Sequence, residues 1–180
     1  MVLREFGDPD VFERTSGALE RGEITLNEEI RQQFAVVTEP IEQVVPWLLE
    51  RVRVRRGFHE LAALHRPVIV SVGFRELIEP ILAREKLDLE LRSNRVEWTP
   101  EGWRPRFRSE QPCAECGEPC KRSALPANGV VYVGDGFSDR CAALAADRVF
   151  ARDGLARYLD STGTAYEPFE DFYDVAAALG

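Results

Sequence analysis

Apolar residues in the first third of the chain recur at intervals of three and four: Val11, Phe12 and Leu19, then Ile24, Leu26, Ile30 and Phe34, then Ile41, Val44, Val45, Leu48 and Leu49. That is the spacing of one face of a helix, and it predicts a small helical cap over residues 9–52. Thr25 followed by Glu28 fits a capping box, Gly22 fits the stop of the helix before it, and Pro46 is expected to kink or restart the third helix. After Gly57 the pattern changes to alternating helices and strands. A helix is predicted over 58–65, a β-branched strand over 68–71 and a helix over 74–84. A strand over 87–98 starts a hairpin turning near Ser93 and Asn94. It is followed by a strand at 130–133, a helix over 139–146, a short strand at 149–150 and helices near Leu155 and Phe172. Such alternation predicts an α/β fold, a Rossmann-like three-layer sheet built from residues 1–8 and 53–180.

With 180 residues the chain has room for one sizeable core with a small appended domain. An apolar fraction of 44% with mixed charges fits a soluble globular protein. No run approaches membrane-spanning length, and the N-terminus shows no basic segment leading into an apolar one, so a cytoplasmic location is expected. The net charge of -8 argues against nucleic acid or an anionic membrane as partner. It leaves room for a small anionic metabolite, because a cation and a lysine create a local positive field inside an acidic protein.

The strand at Val130–Val133 runs into Gly134-Asp135-Gly136-Phe137-Ser138-Asp139. The glycines are expected to let the backbone bend, and Ser138 or Asp139 to cap the helix that begins near Cys141. Two carboxylates in one loop repel each other unless a cation sits beside them, and Mg²⁺ takes such hard oxygen ligands. The plainer reading is a strand end and a helix cap. Ser71, followed by Val72 and Gly73 at another strand end, is placed to donate hydrogen bonds to a phosphate. Lys121 supplies a compact positive charge ahead of the Asp135 strand.

The order Ser71, Lys121, Gly134-Asp135-Gly136-x-Ser138-Asp139 resembles the last three motifs of the haloacid dehalogenase superfamily of phosphatases. The likeness is to the branch with phosphoserine phosphatase and the phosphocholine-type phosphatases. Gly57-Phe58, Cys116-Gly117-Glu118-Pro119-Cys120-Lys121, Phe150-Ala151-Arg152-Asp153 and Phe169-Glu170-Asp171-Phe172 look most like its methionine-salvage subgroup, which acts on a 5-methylthiopentenyl 1-phosphate. The resemblance implies an enzyme that hydrolyses a small phosphomonoester through an aspartyl-phosphate. Ser71, Val72 and Gly73 would bind the phosphoryl oxygens together with Lys121, which also orients the nucleophile; Asp135 would ligate Mg²⁺ and Asp139 support it. Phosphoserine-like or phosphocholine-like substrates are the alternatives, and a non-catalytic phospho-ligand binder or a fragment is the rival from another class.

The chain departs from the family pattern where an apolar strand should end in Asp-x-Asp-x-Thr before the cap. Asp8-Pro9-Asp10 is the nearest match and is rejected, because Val2 to Phe6 reads as the end of a helix and Pro9 opens the next. The expectation is therefore that Met1 lies about one strand and a turn, roughly 20 residues, past the true start. The chain as it stands is expected to lack the nucleophile, to be inactive and to be poorly stable, because the absent strand is central in the family's sheet.

Cys113, Cys116 and Cys120 precede Lys121 in one loop. Their spacing suggests zinc, with Cys141 as a fourth ligand, but reduced thiols that only pack are the preferred reading. Arg14, Arg21 and Arg31 of the cap could reach an anionic substrate, although a surface role is favoured for each.

Overall fold

A computed structural model describes all 180 residues. Nine helices, α1 (Val2–Phe6), α2 (Pro9–Glu20), α3 (Leu26–Ala35), α4 (Ile41–Arg51), α5 (Phe58–His65), α6 (Arg75–Arg84), α7 (Arg140–Ala143), α8 (Asp153–Thr162) and α9 (Phe172–Leu179), accompany six strands. The strands are β1 (Ile69–Phe74), β2 (Leu91–Thr99), β3 (Gly102–Arg106), β4 (Val131–Gly134), β5 (Arg148–Ala151) and β6 (Glu167–Pro168). They form two three-stranded sheets, β1-β2-β3 and β4-β5-β6. The chain divides into two compact units, Met1–Val52 with Ser71–Gln111, and Arg53–Val70 with Pro112–Gly180.

The helical segment of the first unit ends at Val52, where the sequence pattern places it, and the unit groups it with residues 1–8 and 71–111, which include the β2–β3 hairpin. Its core joins Ile30, Val37, Val44 and Leu48 from the helical segment to Phe74, Leu77, Val96 and Trp103. Trp103 is fully buried, and its ring stacks on Phe34 at 5.7 Å between centroids. Its indole N–H donates to the Glu39 carbonyl at 2.8 Å, and that of Trp98 donates to the Thr38 carbonyl at 2.8 Å. These bonds dock the hairpin on the α3–α4 connection while satisfying carbonyls that would otherwise need water. Gly102, at φ +134°, meets Ala35 so closely that a Cβ would fall 1.9 Å from its carbonyl oxygen.

Local expectations fare unevenly. Thr25 accepts the Glu28 N–H at 3.1 Å, and Gly22 ends α2 with φ +70°. Glu28 turns its carboxylate to Arg31 and Gln32, so the capping box is half made. Pro46 neither restarts nor splits α4, which runs through it. The hairpin turns at Pro100 and Glu101 rather than at Ser93 and Asn94, both of which are buried inside β2. Asn94 is held there because its amide donates to the Val72 carbonyl at 2.8 Å and accepts the Arg108 N–H at 3.0 Å. β1 extends to Phe74, three residues beyond the expected strand end.

In the second unit β4, β5 and β6 pair in parallel, with α7 and α8 as the crossovers. A core of Val130, Tyr132, Ala142, Val149, Leu155 and Leu159 fills one side, and Leu61, Phe150, Phe169 and Val175 a second cluster with α5 and α9. β4 pairs only with β5 and is therefore an edge strand, as β1 is in the other sheet.

Candidate active site

The loop after β4 is built around Asp139. Its carboxylate is buried at 3% exposure, and both oxygens are used. Oδ1 accepts from the Lys121 ammonium at 2.6 Å and the Tyr132 hydroxyl at 2.8 Å. Oδ2 accepts the backbone N–H of Gly136 at 2.9 Å and of Asp135 at 3.1 Å. Burial pushes the Asp139 carboxyl up, but the Lys121 charge and hydrogen bond, with the Gly136 amide and Tyr132 hydroxyl, hold it below the ordinary carboxylate range. Burial first, and then the Asp139 charge, raise the Tyr132 phenol, which stays protonated as a donor.

This changes the reading of the paired carboxylates. The cation beside Asp139 is Lys121, so Asp139 supports the loop and fixes the lysine rather than offering a lone pair to a metal. It does not cap α7 with its side chain; it reaches back over the preceding 3-10 turn, Phe137–Asp139. Gly134 is required by that packing, because a Cβ there would lie 2.8 Å from the Asp139 Cγ. Gly136 is extended, and its Cβ would find its nearest neighbour at 3.9 Å. The bend expected of it therefore draws on no conformation that only glycine adopts, and its N–H serves the loop by donating to Asp139.

Asp135 is the exposed carboxylate of the loop. Its backbone carbonyl accepts the Leu155 N–H at 3.1 Å from the start of α8, which holds the residue at the strand end while its side chain faces outward. A single carboxylate that shares the coordination shell with water and phosphate suits Mg²⁺, so Asp135 fits the ion and Asp139, fully occupied, does not.

Lys121 opens a 3-10 turn, Lys121–Ala124, just after Cys120. Ser71 belongs to the first unit. Its Oγ accepts the Gly73 N–H at 3.0 Å, which leaves the hydroxyl proton for another acceptor and removes the Gly73 amide as an independent phosphate donor. Val72 spends its carbonyl on Asn94. Asp8, set aside as a nucleophile, caps α2 by accepting from Asp10 and Val11. Arg14 donates to Gln32, and Arg21 and Arg31 pair with Glu23 and Glu28, which favours the surface role for all three. A cavity of about 600 Å³ in the first unit is lined by Arg75, Arg95, Arg106 and Arg108. Three of these guanidiniums are paired with Glu79, Glu76 and Glu97, and no expected site residue lines it.

Cys113, Cys116 and Cys120 are joined by Cys141, all four sulfurs lying within 4.8 Å of one another. No disulfide links them. The residue that sequence reasoning missed is Tyr132; an aromatic hydroxyl within the β-branched run, two residues before Gly134, is the available signal.

The family model for haloacid dehalogenase-like hydrolases matches residues 5–144. The chain belongs to that family. It is 29% identical over 192 aligned residues to the 2-hydroxy-3-keto-5-methylthiopentenyl-1-phosphate phosphatase of Exiguobacterium sibiricum, covering 99% of this chain and 87% of that protein. The enzyme of the same name from Bacillus cereus is 27% identical, with the same coverage. Among solved structures, phosphoserine phosphatase from T. onnurineus superposes with a TM-score of 0.66 at 18% identity, covering 94% of this chain and 80% of that one. A probable phosphoserine phosphatase from Vibrio cholerae gives 0.65 at 19% identity, over 92% and 54% of the two chains. At those identities the superpositions establish a shared α/β fold, as the alternating pattern of the sequence implied.

Proposed function

We propose that this haloacid dehalogenase-like chain is built for Mg²⁺-dependent hydrolysis of a small phosphomonoester. The observation that carries the reading is the division of labour in the β4 loop: Asp139 is saturated and holds Lys121, while Asp135 is exposed at the strand end. The ammonium spends one of its three N–H donors on Asp139 and keeps the others for phosphoryl oxygens. In the first unit Ser71, its Oγ lone pair engaged by Gly73, keeps its O–H for a further acceptor, the property that the family resemblance requires of it. Bound at Asp135, Mg²⁺ would offset the phosphate charge. Positioning and charge stabilisation of this kind supply most of the catalysis in phosphoryl transfer.

In the family an aspartate attacks phosphorus, the bond to the leaving oxygen breaks, and water later cleaves the aspartyl-phosphate. Asp8 is committed to capping and Asp139 to Lys121, so neither is free to attack phosphorus, and the open edge of β4 is where a strand bearing a nucleophile would pair. That edge carries Val131 exposed and shows none of the charges or prolines that usually protect an unpaired strand. The methionine-salvage intermediate is the substrate of choice, supported by the names of the relatives at 29% and 27% identity; phosphoserine and phosphocholine-like esters come next.

The test is a phosphate-release assay over a panel of small phosphomonoesters, run on the full-length gene product with and without Mg²⁺. Mg²⁺-dependent turnover that Asp135→Asn loses supports the reading. Turnover lost on Asp8→Asn or Asp10→Asn would return that residue to the nucleophile's role, and phosphate binding without turnover would favour a ligand-binding homologue.

A further inference from the structure

We propose that Cys113, Cys116, Cys120 and Cys141 hold one zinc ion in a closed four-thiolate site that fixes Lys121 and Asp139 relative to each other. The four sulfurs already lie within 4.8 Å of one another. A tetrahedral zinc with Zn–S bonds of about 2.3 Å needs sulfurs about 3.8 Å apart, and Cys113 and Cys141 stand at 3.9 Å. Small side-chain rotations therefore close the shell, with the thiol protons released to solvent.

The backbone around the first two ligands is folded for a metal. The Gly117 N–H donates to the Cys113 carbonyl at 2.9 Å, and the Cys113 N–H to the Glu118 carbonyl at 3.0 Å. Gly117 itself sits in the left-handed region at φ +71°. This tight turn aims the amides of Glu115 and Cys116 at the Cys113 sulfur, where they stabilise thiolate charge. Arg122 adds a cation, bonded to Cys141 and near Cys113, which offsets the net negative charge of a four-thiolate zinc.

Packing alone does not explain the cluster. From Gln111 to Gly129 only Ala124 is buried, so this stretch has almost no core of its own, the circumstance in which small segments rely on a metal or a disulfide. Cys113 and Cys116 pin the outer turn. Cys120 adjoins Lys121, and Cys141 lies two residues past Asp139, so one ion would tie both halves of the Lys121–Asp139 pair.

Elemental analysis of the 180-residue chain, purified without metal-affinity resin or added metal, is expected to find one zinc per chain. Removing it with a chelator should lower the melting temperature, and Zn²⁺ should restore it. Co²⁺ added instead should give the intense visible absorption of a tetrahedral four-thiolate site. Cys141→Ser and the more exposed Cys116→Ser should each lose most of the zinc affinity. The proposal fails if the purified chain carries no zinc and shows four reactive thiols unaffected by added Zn²⁺. A Cys113–Cys141 disulfide found by mass spectrometry of the native protein, or cobalt absorption unchanged in both variants, would overturn it equally.

Discussion

The two units solve the problem of holding a chain in place by different means. In the first, the hairpin is seated by a fully buried Trp103, stacked on Phe34 and tilted against Phe74, and by indole N–H bonds to the Thr38 and Glu39 carbonyls. In the second, the stretch that delivers Lys121 buries almost nothing apolar and is held by one buried ion pair and a cluster of thiols. Apolar packing is non-directional and tolerates small shifts. A four-bonded carboxylate does not, and the proposed chemistry falls where the fold uses the directional device. Placing a lysine within hydrogen-bond distance of a phosphate demands that kind of constraint.

Trp103→Ala strikes the apolar side of this contrast and carries the largest expected effect, a loss of about 3–5 kcal/mol from the cavity and the orphaned Glu39 carbonyl. Chemical denaturation measures it, and a loss below about 1 kcal/mol would show that the hairpin is not anchored there. Asp139→Ala strikes the polar side. It strands a lysine whose side chain is 13% exposed, two amides and the Tyr132 hydroxyl, at a cost of about 3 kcal/mol. Unlike the tryptophan variant, it should abolish phosphate binding even in conditions where the chain remains folded, as calorimetry with inorganic phosphate would show.

Acid separates the two units further. The Asp139 carboxyl is held below its ordinary value in the folded chain, so its stabilisation is complete above the unfolded carboxylate range, about 4, and lost as pH falls through the lower folded value. Melting temperatures from pH 7 down to 3 should therefore drop more steeply for the parent than for Asp139→Asn. Parallel curves would mean that other carboxylates dominate. The smallest expected effects come from the two glycines of the loop. Gly134→Ala drives a methyl against the Asp139 side chain and should cost about 1–3 kcal/mol, whereas Gly136→Ala should stay within about 0.5 kcal/mol. Equal effects would remove the packing argument for Gly134.

The sequence exposes the parts of this structure that depend on local pattern. Helical spacing locates the cap helices, and the β-branched run before Gly134 locates β4, because period and burial coincide there. The hairpin turn was misplaced because Ser93 and Asn94 look like turn residues, and only tertiary partners, the Val72 carbonyl and the Arg108 amide, hold them in a strand. That the hairpin joins the helical segment, which itself ends at Val52 as expected, is hidden for the same reason: Trp98 and Trp103 reach carbonyls some sixty positions away in sequence. Motif order singles out Lys121, Asp135 and Asp139, which the structure brings into one loop cluster, but not the different surroundings of the two carboxylates. That Asp139 is saturated while Asp135 is exposed depends on which oxygen faces which amide. Cys141 can be named from the sequence as a companion of the three loop cysteines, and the turn that follows β4 brings its sulfur within 4.8 Å of theirs.

The most direct test of this division of labour is Mg²⁺ activation of phosphate release by the full-length gene product and its Asp135→Asn variant, with melting temperature read alongside. The account predicts that Asp135→Asn loses Mg²⁺ activation and at least about a hundredfold in turnover while melting within a few degrees of the parent, since an exposed carboxylate contributes little to stability. Undiminished Mg²⁺ activation in that variant would contradict it and move the metal away from the β4 loop.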